Sequence, residues 1–115
     1  MAKTMVRNSI IRLISLDDET MLEARHNLIK DLVIHYGEPQ VFCHTSVWQI
    51  KNGDTITITI DSHDAVIEIE SELTLANLII DFKDKWIVAH IDCATTDVSD
   101  MINRICEIYK VDHIF

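Results

Sequence analysis

"DTITITIDSHDAVIEIESE", residues 54–72, alternates with a period of two on both sides of a polar tetrapeptide. In an extended chain Ile56, Ile58 and Ile60 point to one side, and Thr55, Thr57 and Thr59 to the other. After "DSHD" the pattern resumes, with Ile67 and Ile69 on the apolar side and Glu68 and Glu70 opposite. A four-residue loop at 61–64 sets Ile60 against Ala65, Ile58 against Ile67 and Ile56 against Ile69. On the other face it sets Thr57 against Glu68 and Thr55 against Glu70. A slip of one residue would turn both glutamates inward, where an unpaired carboxylate is costly. The stretch is therefore expected as a hairpin with one buried face and one face of hydroxyls and carboxylates.

The same period extends in both directions. "VFCHTSVWQI" (41–50) reads as a strand, and Asn52-Gly53 marks a hairpin reversal after it. "LTLANLIIDF" (73–82) and "WIVAHIDC" (86–93), joined by "KDK", are apolar on both alternations. Such strands are central, or carry a second face covered by helix or partner. Outside this block the period changes to that of a helix. Over 17–36, Met21, Leu22, Leu28, Ile29, Leu32, Val33 and Tyr36 recur at three- and four-residue spacing. Ser15 followed by Asp18 suggests the cap, and Gly37 with Pro39 the stop. A second helix is expected over 97–110, capped by Thr96 or Asp97, with Val98, Met101, Ile102, Ile105, Ile108 and Tyr109 as its stripe. "SIIRLIS" (9–15) fits a short strand by its isoleucines, while Val6, Ile10, Leu13 and Ile14 also fit a helical face; Val111, Ile114 and Phe115 make an apolar tail expected to dock. The expectation is one α+β domain over 1–115: an antiparallel meander of about five strands between an N-terminal and a C-terminal amphipathic helix.

Composition narrows the class. The 115 residues suffice for a core without disulfides. Three cysteines, Cys43, Cys93 and Cys106, form no paired framework and point to a reducing cytoplasm. No apolar run approaches the roughly 20 residues of a membrane span. Arg7, Asn8 and Arg12 interrupt any signal-peptide core, so the chain is expected to start near Met1 and stay in the compartment of its synthesis. Net charge is −9, and between Lys51 and Lys83 stand seven acids and no base. Nucleic acid, itself a polyanion, is thereby a poor direct partner.

The reactive residues do not assemble a catalyst. Asp61, Ser62 and His63 are neighbours in one loop, and catalytic groups must converge from separate places; a turn held by side chain to backbone bonds explains them. Cys43, His44, His90 and Cys93 resemble a zinc set, but neighbours on a strand point to opposite faces and no Cys-x-x-Cys knuckle is present. An acidic surface raises a thiol pKa, the reverse of what a thiol enzyme requires. Trp48 and Trp86 read as core or core-edge residues. No enzyme activity, cofactor or metal is expected.

A one-signed surface attracts cationic partners and repels anionic ones. The expected function is that of a small acidic binding module which masks a basic, nucleic-acid-handling surface of another protein. Examples are an immunity protein against a nuclease toxin, or a phage inhibitor of a defence nuclease. The expected partner-binding residues are Asp54, Thr55, Thr57, Asp61, Asp64, Glu68, Glu70 and Glu72. A secretion-type chaperone holding an extended client segment is the alternative. The doubly apolar strands 75–80 and 86–91 also suggest a homodimer. A solubility device that keeps a Thr/Ile-rich hairpin from aggregating is the bland account of the same charges.

Overall fold

In the computed structural model, which describes residues 7–13, 16–52, 54–70, 75–93 and 96–112, the hairpin closes in the register its alternation demands. Ile60 pairs with Ala65, Ile58 with Ile67, Ile56 with Ile69, Thr57 with Glu68 and Thr55 with Glu70. The apolar side is the core side: Ile58, Ile67 and Ile69 are 0%, 2% and 3% exposed, whereas Glu68 and Glu70 face solvent and Thr57 is half-buried.

Around this hairpin the chain runs β1 (Arg7–Arg12), α1 (Asp18–Tyr36), β2 (Gln40–Phe42), β3 (Thr45–Asn52), β4 (Asp54–Ile60), β5 (Asp64–Glu70), β6 (Leu75–Asp81), β7 (Trp86–Cys93) and α2 (Thr96–Tyr109). All strands join one antiparallel sheet in the order β1-β7-β6-β5-β4-β3-β2. The α+β class and a five-strand meander, β3 to β7, are as expected. The strand count is corrected from about five to seven. Cys43 takes a left-handed φ of 56° and breaks 41–50 into β2 and β3. At the opposite edge, "RNSIIR" pairs along its whole length with β7.

The β3–β4 reversal shows packing overruling turn preference. A two-residue Asn-Gly loop would pair Lys51 with Asp54 and set Trp48 against Thr57. Lys51 instead pairs with Thr55 and Trp48 with Ile58, both core residues. Gly53, Glu72, Ser15 and the tail residues Ile114 and Phe115 lie outside the described residues.

Helix α1 is capped by Asp17, one helix turn's first acceptor, whose carboxylate takes the Thr20 N–H at 2.7 Å. The cap is thus Asp17 and not Ser15. Met21, Ala24, Leu28 and Leu32 form its buried stripe. Leu22, expected on that stripe, is 55% exposed, because it lies about 100° around the helix from Met21. The helix stops at Gly37, where φ is +88° and the N–H bonds back to the Val33 carbonyl at 2.9 Å. The Gly37 carbonyl then accepts the Trp48 indole N–H at 2.9 Å, pinning the helix end to β3.

Helix α2 buries Met101, Ile105, Cys106 and Tyr109. It packs against α1, and Arg104 Nε lies 3.1 Å from each carboxylate oxygen of Asp31. Both helical stripes enter the same core cluster as one alternation of the strands: Ile56, Ile58 and Ile60; Ala65, Ile67 and Ile69; Ala76, Leu78 and Ile80; Ile87 and Ala89. The helices therefore share one face of the sheet. The least principal extent, 19 Å, is the depth of one sheet and one helix layer at about 10 Å each. No helix among the described residues is long and apolar enough to cross a membrane.

Helix α2 ends on a pair of 6→1 and 5→2 bonds, Val111 N–H to the Cys106 carbonyl at 3.0 Å and Lys110 N–H to that of Glu107 at 3.3 Å. This closure puts Lys110 at φ 55°, a conformation glycine enters without steric cost. Lys110→Gly should raise stability by about 1 kcal/mol. The gain should appear as a higher urea midpoint at unchanged m-value.

Candidate functional site

The second alternation of every strand forms a sheet face that neither helix covers. Cross-strand register arranges its side chains in rows. Ile10, Val88, Ile79, Val66, Thr59 and Val47 stand opposite one another in succession from β1 to β3. Ile10 is 67% and Val88 42% exposed, and the other four are half-buried. At a strand spacing of about 4.8 Å this apolar row is about 24 Å long.

Two polar rows flank it, each about 6.6 Å away along the strands. On one side His90, Asn77, Glu68, Thr57 and Gln49 are in register, followed after two more residues by Glu70, Thr55 and Lys51. On the other side Trp86, Asp81 and Asp64 are in register, with Arg12 opposite Trp86 on β1. The Arg12 guanidinium stacks over the Trp86 ring at 4.5 Å. Trp86 is thus a residue of the open face, whereas Trp48 is in the core. On β5 and β6 the apolar row is bracketed by acids: Glu68, with Glu70 one step farther out, on one flank, and Asp64 and Asp81 on the other.

The aspartates are held by the reversals that carry them. Asp61 Oδ1 accepts the backbone N–H of His63 at 2.7 Å and of Asp64 at 2.9 Å, so "DSHD" is a turn fastened by its own first side chain. Asp81 Oδ1 does the same for Lys83 at 3.0 Å and Asp84 at 2.8 Å. The two turns are stitched together by the Phe82 N–H on the His63 carbonyl at 2.9 Å. Arg25 reaches from α1 to the Asp61 carbonyl at 3.0 Å and lies over Phe82. A surface cleft of about 380 Å³ opens between these turns and the start of α1. Two of its charged groups are engaged in the frame, Arg25 as described and Asp18 with Lys85 at 3.1 Å.

These contacts polarise the carboxylates in opposite directions. The backbone N–H of Asp64, and secondarily that of His63, hold the Asp61 carboxyl below the usual range. Burial, then the charges of Asp61 and Asp81, push Asp64 above it. Asp64 and Asp81 are direct cross-strand partners, an arrangement that like charges disfavour.

Of the eight residues the sequence suggested, Thr55, Thr57, Glu68, Glu70 and Asp64 lie together on the open face, and Asp61 anchors the adjoining turn. Asp54 is placed by its backbone pairing with Asn52, and Glu72 lies outside the described residues. The sequence reading missed Val66, Ile79, Val88, Ile10 and Asp81; of these only Ile79 and Val88 had a signal, the double apolarity of 75–80 and 86–91. Cys43 and His44 form the β2–β3 turn at one sheet edge, while His90 and the backbone of Cys93 belong to β7, five strands away, so the zinc-like set is not brought together. Among the described residues no group of three or more His, Cys, Asp or Glu is arranged to hold a metal ion.

The two aspartates should respond oppositely to pH. Asp64→Asn should stabilise at pH 7, because the folded state there holds a carboxylate it disfavours. That gain should shrink as pH falls through the raised folded pKa of Asp64 toward its unfolded value, where the wild-type side chain is protonated in both states. Asp61→Ala should destabilise at pH 7, and its deficit should narrow below the unfolded carboxylate pKa as wild-type Asp61 is itself protonated. Thermal melts of the two variants and wild type between pH 3 and 7 check both signs. Comparison with known protein families, characterised proteins and solved structures finds no match to this chain.

Proposed function

We propose that this protein is an acidic binding module that engages a basic surface of another protein with the open face of its sheet. The observation that carries the reading is the position of Glu68, Glu70, Asp64 and Asp81 on a sheet face that neither helix covers. Carboxylates on a rigid sheet can stand where phosphates would lie on the partner's nucleic-acid-binding surface. An inhibitor or immunity-type role against a nuclease or similar protein follows from that chemistry. Solubility alone is served by mixed signs. Here seven of the nine net negative charges fall between Lys51 and Lys83.

The apolar row keeps the chaperone alternative in view, since a client segment would seek such a strip. The two readings differ in salt dependence. Masking of a basic surface weakens as ionic strength rises and the Debye length shortens to about 8 Å, whereas apolar client capture does not.

Glu68→Lys combined with Glu70→Lys should leave the fold intact, since exposed charges contribute under about 1 kcal/mol each. Binding to a partner recovered from the host and identified by mass spectrometry should fall at least tenfold, chiefly through a slower association rate. Asp100→Lys with Glu107→Lys, both exposed on α2, makes the same change in net charge away from the sheet. Equal weakening by the two pairs would reduce the effect to bulk charge, and no weakening by either would leave the hairpin a solubility device.

A further inference from the structure

The open face carries more than charge, and the arrangement of its rows selects a shape of partner. We infer that its occupant is a basic amphipathic helix of the partner protein, laid across the strands along the row from Ile10 to Val47. This rests on the reading of the acidic face as a binding surface and specifies what binds there.

Three observations converge on a helix. The first is pitch. The apolar residues of the row repeat at the strand spacing, about 4.8 Å. An amphipathic helix presents an apolar residue about every 5.4 Å turn, so each turn meets one strand. An extended segment repeats its side chains on one face every 6.6 Å or so and falls out of step within two strands. The second is length. A row of about 24 Å takes about 16 helical residues, an ordinary helix. The opposite face of the same sheet already shows the geometry, since α1 passes from the β1 edge to the β2 edge with 19 residues.

The third is charge on both flanks. Glu68 borders the row on one side, with Glu70 one step farther out, and Asp64 and Asp81 border it on the other. A helix whose apolar stripe has lysine or arginine along both margins meets carboxylates on each side. A second copy of this chain meets its own acids instead. Face-to-face packing would set Asp64, Asp81, Glu68 and Glu70 against the same residues, with Arg12 already stacked on Trp86 at the sheet's edge. Charge complementarity thus favours the basic helix over self-association.

The test uses the full chain and a fluorescent 18-residue peptide with leucines on one helical stripe and lysines on both margins. A second peptide of identical composition has the leucines and lysines shuffled so that no stripe forms. The amphipathic peptide should bind at least tenfold tighter than the shuffled one and gain helicity on binding by circular dichroism. Val88→Lys and, separately, Ile10→Lys should each weaken it at least fivefold; Ile10 is the more exposed, so one variant remains informative if the other fails to fold. Asp100→Lys with Glu107→Lys should weaken it less than twofold. Equal affinity for the two peptides, with both lost in the Glu68→Lys, Glu70→Lys variant, would overturn the helix while leaving the acidic face as a binding surface. Binding of both peptides untouched by that variant would overturn the acidic face as well. Binding of neither peptide, or a wild-type dimer in sedimentation that Val88→Lys dissociates, would equally overturn the inference.

Discussion

The structure depends on where α1 has to go. Its preceding strand, β1, lies at one edge of the sheet and its following strand, β2, at the other. A helix of 19 residues is about 28 Å long, and seven strands span about 29 Å, so one element makes the whole traverse. The traverse is fastened at both ends. At its start Asp18 pairs with Lys85, and at its end the Gly37 carbonyl accepts the Trp48 indole N–H. With α1 so placed, α2 returns to the same face, and the Arg104–Asp31 pair joins the two helices above a common core. One face of the sheet is thereby buried and the other left to solvent or to a partner.

That asymmetry accounts for the distribution of side chains better than any pairwise contact does. Buried strand residues are isoleucine, leucine and alanine, with Trp48 on β3, and they meet two helices. The open face mixes threonine, carboxylate and β-branched apolar residues, a composition suited to water and to contact alike. Among the described residues, the non-glycine positions with positive φ are Cys43, Lys85 and Lys110, each at a turn or just past a helix end. The chain has only two glycines for such positions, and close packing of the connected elements holds the other residues in place. The one polar side chain buried without a hydrogen bond among the described residues, the Tyr109 hydroxyl, lies in the helical layer, and burial pushes its pKa upward.

The hairpin at the centre of the sheet was legible to the residue. Its register, the inward isoleucines and the outward glutamates follow from a period of two closed by a four-residue loop, since a slip of one residue would turn both glutamates inward. The two helices were legible for the same kind of reason. Less so were features decided by neighbours distant in sequence. The split of 41–50 at Cys43 carries no glycine or proline to announce it, and Leu22 differs from Met21 only in which way α1 is rotated. The site was half visible: the carboxylates of β5 showed in the alternation, but the apolar row beside them is assembled from six strands.

Local chemistry by itself determined the α+β class, the central hairpin and its register, both helices and the concentration of negative charge between Lys51 and Lys83. Double apolarity of β6 and β7 also announced that a second face needed covering, without saying by what. Only the tertiary structure decided that both helices share one face, that β1 closes the far edge, and that Ile10, Val88, Ile79, Val66 and Val47 fall into line between two acidic flanks. The physical reason is that a strand apolar on both alternations, such as β6 or β7, does not say which of its faces meets the helices. Which face is buried depends on the path of the connecting helix, a property of the whole sheet and of no single strand.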